Sequence, residues 1–156
     1  MEVYRLSRKK YKDSLSGIGA AIRGGRWNSI GTEIIYCGSN RSLCMAEVAV
    51  HLTLSTLPDD YYMLTIFIPD RLMIEQISEV KLPRNWSKYP PNKFTQRIGT
   101  TFIRDNNQCI LQVPSAVTRG DYNILINPNH HLFEQIRIID KEPFPFDMRI
   151  FHSQSI

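Results

Sequence analysis

Within the apolar run at residues 42–54 (SLCMAEVAVHLTL) stand one acid and one imidazole, Glu47 and His51, four positions apart. On a helix that spacing puts both side chains on one face. Because almost every other position of the run is apolar, the helix is expected to be buried on all sides. A carboxylate in such surroundings is costly unless a partner neutralises it. Arg26, in the Gly-rich turn at residues 24–28 (GGRWN), is the nearest partner of opposite sign. The two are expected to face each other in a pocket, where an ionised carboxylate can stabilise a cation. Two other readings stay open: a metal site with His130 or His131 as third ligand, or a purely structural Glu with His51 satisfied by a backbone carbonyl.

Ser115 opens a loop after a strand, a place where functional groups gather. Pro114 rather than Gly precedes it, so it is not in a G-x-S-x-G nucleophile elbow. A hydrogen bond to a ligand, or a turn cap, remains. Tyr36 either packs in the core or offers its ring to a flat heterocycle. Trp27 is assigned to packing.

The elements that must hold these residues follow from the pattern of the chain. Residues 1–6 (MEVYRL) alternate as a short strand, with Arg5 pointing inward. Residues 18–28 hold too many glycines for a regular element and read as a loop or distorted hairpin. Residues 33–37 (EIIYC) form a buried strand, and Gly38, Ser39 and Asn40 turn and cap the helix at 42–54. Residues 61–68 (YYMLTIFI) are the strongest strand. The Pro-rich span 71–92 reads as an irregular surface excursion. Residues 95–104 form a helix weakened by Gly99, and residues 109–113 and 122–126 form two strands. A strand-like run at 134–139 and an apolar piece at 144–151 complete the chain. About six strands and two buried helices in mixed order make an α+β domain, with mixed or antiparallel strands around a central buried helix.

The chain has 156 residues, 42% of them hydrophobic, which suits one domain over residues 1–156. No leader pattern opens it, and no apolar run approaches the roughly eighteen residues of a membrane span. Cys37, Cys44 and Cys109 lie far apart with no C-x-x-C pair. That argues against a disulfide scaffold or zinc site and fits a reducing cytoplasm. The net charge of +4 is scattered apart from Arg8, Lys9 and Lys10. It favours a small anionic ligand or an acidic partner protein over nucleic acid.

Taken together, these residues resemble the RES domain, named for its Arg, Glu and Ser. The likeness is carried by VYRL, GGRWN with Gly31, IYCGSN followed by AEVAVH, VPSAV, NILINPNH and FPFDMRIF. Phe102 and Cys37 depart from the pattern without touching its polar positions. The resemblance implies an ADP-ribosyltransferase-like fold and the toxin of a RES-Xre toxin-antitoxin pair, cytoplasmic and acting on NAD⁺ without a metal. It further implies an Xre-type antitoxin covering the active site, and it allows a homodimer within the complex. Such enzymes break the nicotinamide–ribose bond and pass ADP-ribose to water, phosphate or a protein. By position, Arg26 would bind the dinucleotide and Tyr36 would stack near the nicotinamide. Glu47 would hold the ribose hydroxyls and stabilise positive charge, and Ser115 would hydrogen-bond in the same pocket. Arg5, His51 and Asn127 follow as further NAD⁺-binding candidates. N-glycosidic cleavage passes through an oxocarbenium-like state, so a fixed carboxylate gains attraction as charge develops. The alternatives are an ADP-ribosyltransferase that modifies a cellular protein, a non-catalytic nucleotide-binding module and, from a third class, a nucleic-acid-directed toxin.

Overall fold

The aromatic and β-branched segments of the sequence pair into one seven-stranded sheet in the computed structural model, which describes residues 1–151. In chain order the strands are β1 (Glu2–Arg8), β2 (Ile35–Gly38), β3 (Tyr61–Phe67), β4 (Ile74–Gln76), β5 (Ile110–Pro114), β6 (Tyr122–Ile126) and β7 (Arg137–Pro143). Across the sheet they run β4-β5-β6-β2-β1-β3-β7. Every pairing is antiparallel except β4 with β5. Three α-helices accompany them: α1 (Ile18–Arg23), α2 (Arg41–Ala49) and α3 (Lys93–Asp105). The α+β expectation is met.

The differences from the expected elements have local causes. Residues 18–28 begin as the helix α1 rather than a hairpin, and only then turn, at Gly24 with φ 69°. The excursion at 71–92 contains β4, whose three residues pair with β5 and are too short to stand out in the sequence. α2 ends at Ala49, five residues before the apolar run does, and a separate 3-10 turn spans Leu54–Thr56. Nor is α2 buried on all sides: only Leu43 and Cys44 are buried, because the helix lies on one face of the sheet. The strand-like run at 134–139 divides into a 3-10 turn, Phe133–Gln135, and the start of β7.

Register assigns the side chains to faces. Ile35 and Cys37 of β2 share a face with Val3, Leu64, Ile66, Ile110, Ile124 and Ile126, which form the larger core. Tyr36 and Gly38 point the other way, with Leu125 and Asn123 of β6 and Leu111 and Val113 of β5. α3 and Trp27 cover one half of that second face, through Trp27, Ile34, Trp86 and Phe102. α2 covers the other half, where Cys44 packs with Leu6 and Met63. β1 and β2 are joined by the single pair Tyr4↔Gly38. The Leu6 N–H lies beyond that pair and donates to Cys44 Sγ at 3.0 Å, so a helix side chain supplies the acceptor a strand would have given.

Two contacts set how closely the helices approach. Asn40 caps α2 by accepting from Leu43 N at 2.8 Å, as the sequence leads one to expect. Gly99 lies in α3 where a Cβ would stand 1.7 Å from Trp27 O. The glycine therefore marks a close crossing of backbone on backbone rather than a weak point of the helix.

Candidate active site

The turn that carries Arg26 is held from three sides. Gly25 and Asn28 form a bridge, with Gly25 N donating to Asn28 O at 3.0 Å. Asn28 is fully buried, and its Nδ2 donates to Ala20 O at 2.9 Å and Thr32 O at 3.0 Å. From α3, Gln96 Nε2 donates to Gly25 O at 3.0 Å. From β2, the Tyr36 hydroxyl donates to Asn28 Oδ1 at 2.7 Å and accepts from Trp27 N at 3.0 Å. Burial raises the Tyr36 pKa, with Glu47 adding to the rise while the Trp27 N–H and Arg26 oppose it. The phenol stays protonated and keeps donating.

Arg26 does not form an ion pair with Glu47. Its Nη1 donates to two main-chain carbonyls of the 71–92 excursion, Trp86 O at 2.6 Å and Lys88 O at 3.1 Å. Burial lowers the Arg26 pKa, and Glu47 and Tyr36 oppose that through space. The guanidinium is thus anchored at Nη1, and its Nε and Nη2 make no hydrogen bond among the described residues, which leaves part of a planar fork suited to an anion.

Glu47 turns to the sheet. Its Oε1 accepts from Ser115 Oγ at 2.8 Å and from Asn123 Nδ2 at 2.6 Å. Ser115 Oγ accepts in turn from Val117 N at 3.1 Å and Thr118 N at 3.0 Å. A hydroxyl has one proton and two lone pairs, so Ser115 is fully engaged. The same loop is closed by Ser115 N donating to Asp121 O at 2.9 Å. Glu47, Ser115 and Asn123 therefore form one hydrogen-bonded cluster on the face that also bears Tyr36.

Three sequence candidates lie elsewhere. Arg5 follows Tyr4, which pairs with Gly38, so alternation puts Arg5 on the opposite face from Tyr36. There its Nη2 donates to Ser16 O at 3.1 Å, and its Nη1 is buried without a partner among the described residues. His51 is exposed and lies past the end of α2, so the four-residue spacing from Glu47 does not place it on the helix face. Asn127 follows the far end of β6, four residues and about 13 Å of strand from Asn123. It braces the loop there, donating to Asn106 Oδ1 and accepting from Asn129 N, each at 2.9 Å.

Among the described residues no group of three or more His, Cys, Asp and Glu could hold a metal ion. His130 is buried, with its Nδ1 accepting from Leu132 N at 3.2 Å, and its ring lies against His131 at 4.3 Å. Two surface grooves lie apart from Glu47, one of about 400 Å³ beside α3 and β4 and one of about 710 Å³ along β7. No helix among the described residues is long and apolar enough to cross a membrane.

The RES domain profile matches residues 2–147. This chain belongs to the RES domain family. It is 34% identical over 152 residues to "Toxin Res" of Photorhabdus laumondii, spanning 96% of this chain and 97% of that one. It is 37% identical over 120 residues to a "Prs ADP-ribosylating toxin" of a Sphingobium species, spanning 76% of this chain and 74% of the relative. Its fold matches a chain in the crystal structure of the M. tuberculosis MbcT-MbcA toxin-antitoxin complex. The TM-score is 0.72 at 21% identity, over 92% of this chain and 84% of that one. The ADP-ribosyltransferase-like fold that the sequence resemblance implies is therefore the fold of this RES domain.

Two parts of the site have little or no signature in the sequence, Asn123 and the carbonyls that hold Arg26. Asn123 is one amide in an apolar strand, and its signal was a polar residue on a buried position two residues before Leu125. The carbonyls of Trp86 and Lys88 leave no signal, since any residue supplies one.

Proposed function

We propose that this RES domain is the toxin of a bacterial toxin-antitoxin pair and that it consumes NAD⁺ by breaking the nicotinamide–ribose bond. The observation that carries the reading is Glu47, whose Oε1 is held by two donors while Oε2 accepts no hydrogen bond among the described residues. A carboxylate fixed in this way presents one oxygen to a ligand. The names of the relatives, two of them toxins and one of those ADP-ribosylating, agree with it.

In the reaction the bond between ribose C1″ and the pyridinium nitrogen breaks. The electron pair stays on nitrogen, so nicotinamide leaves neutral and needs no general acid. Positive charge develops on the ribose C1″ and ring oxygen, and Oε2 of Glu47 stabilises it. An acceptor then bonds to C1″ and gives up its proton. The free part of the Arg26 guanidinium holds the phosphates. The Tyr36 ring supports the nicotinamide end, and its hydroxyl fixes the turn that carries Arg26.

The whole chain, residues 1–156, acts as one RES domain in the cytoplasm. Its activity is held in check by an Xre-type antitoxin that covers the site, an arrangement compatible with a toxin homodimer inside the complex. Purified protein incubated with NAD⁺ is expected to release nicotinamide, followed by chromatography. With phosphate present, a shift of product from ADP-ribose to ADP-ribose 1″-phosphate marks phosphorolysis. Absence of nicotinamide in both conditions contradicts the reading. The Sphingobium relative's name supports a second acceptor, a cellular protein. Radiolabelled NAD⁺ that leaves its label on a protein band, rather than in small molecules, favours that reading.

A further inference from the structure

Of the two donors to Glu47 Oε1, Asn123 makes the shorter contact, from Nδ2 at 2.6 Å. It is 8% exposed and stands in β6 opposite Gly38 of β2 and Val113 of β5. Those neighbours fix its backbone on both sides, and the absence of a side chain at Gly38 leaves room for α2, since a Cβ there would stand 3.1 Å from Cys44 N. The amide is therefore carried by an interior strand paired on both sides, a more precise support than a loop. Ser115, the other donor to Oε1, is carried by a loop and is itself fixed by Val117 N and Thr118 N.

We infer that Asn123 is a positioning residue of the reaction, which with Ser115 saturates Glu47 Oε1 and so directs Oε2 at the ribose. The inference rests on the NAD⁺ reading above. Two donors on one oxygen fix the rotation of the carboxylate. Asn123 itself points at Glu47 and not at the substrate, so its removal affects the bond-breaking step more than ground-state binding.

The test is steady-state nicotinamide release over a range of pH for wild type, Asn123→Asp and Asn123→Ala, each checked for folding by thermal melting. Asn123→Asp keeps the shape but turns the donor into a second carboxylate against Oε1. Its kcat is expected to fall about tenfold to a hundredfold, with KM for NAD⁺ within about twofold. The acid limb of its pH–kcat profile is expected to move to higher pH, because two carboxylates in contact bind a shared proton more tightly than one alone. Asn123→Ala is expected to lose kcat by a similar factor with a smaller displacement of that limb. Wild-type turnover together with unchanged kcat and pH profile in both folded variants overturns the inference alone. A rise in KM at unchanged kcat also overturns it, by making Asn123 a substrate contact. No turnover in wild type overturns the NAD⁺ reading and the inference with it.

Discussion

Ser115 Oγ has its single proton on Glu47 and both lone pairs filled by Val117 N and Thr118 N. The sequence leaves a hydrogen bond to a ligand or a turn cap open, and in the fold the hydroxyl caps its loop and serves the Glu47 carboxylate at once. Ser115→Ala is expected to cost about 1–3 kcal/mol of stability, read from urea unfolding, because two N–H groups lose their acceptor. It is also expected to lower the rate of nicotinamide release. The polar residues of the cluster differ in how readable they were. Glu47 and Tyr36 stand out against apolar neighbours, but the link from Tyr36 to Trp27 N depends on a turn whose shape no spacing encodes. The buried thiols give a pH expectation at the same scale. Burial pushes Cys37 up to about 12 and Cys44 and Cys109 up to about 11. Above the ordinary thiol range near 9 the unfolded chain releases these protons while the native protein keeps them. Native stability is therefore expected to fall as pH rises from about 9 toward 11. Urea midpoints across that window check it, and Cys37→Ala is expected to flatten the slope.

At the scale of elements, the decisive contact is the crossing of α3 over the Arg26 turn. Gly99 lets Trp27 O come within 1.7 Å of where a Cβ would be. Gly99→Ala raises intrinsic helix propensity, yet it is expected to destabilise by about 1–3 kcal/mol or more, because backbone must move against backbone. Thermal melting measures the loss. Nicotinamide release is expected to suffer beyond it, since Gln96 of the same helix fixes Gly25. β1, β2, β3, β5, β6 and α3 were legible because their apolar periods are long enough to see. α2 was legible in place but not in length: the apolar run continues past Ala49, where the helix ends. That early end is why His51 parts from Glu47. β4 was not legible, since its three residues depend on the parallel partner β5 for their structure.

At the scale of the molecule, the sheet order brings β6 next to β2, so that Asn123 and Tyr36, far apart in sequence, share one face of the sheet. No periodicity in the chain encodes that order, and the same order sends Arg5 to the other face. The resemblance of short motifs identified Arg26, Tyr36, Glu47 and Ser115 as a set. The fold adds which of them are joined: Glu47 with Ser115, and Tyr36 with the turn of Arg26. Expression without an antitoxin is expected to lower cellular NAD⁺ before growth stops, and co-expression of the antitoxin to restore both, measured by enzymatic NAD⁺ assay. The central claim is that one fixed carboxylate oxygen stabilises the charge that builds on the ribose. Single-turnover nicotinamide release by wild type and Glu47→Gln, at equal NAD⁺ occupancy and equal fold, tests it most directly. The expected result is a rate about a hundredfold or more lower in Glu47→Gln, which keeps the shape and loses the charge. Equal rates would contradict it.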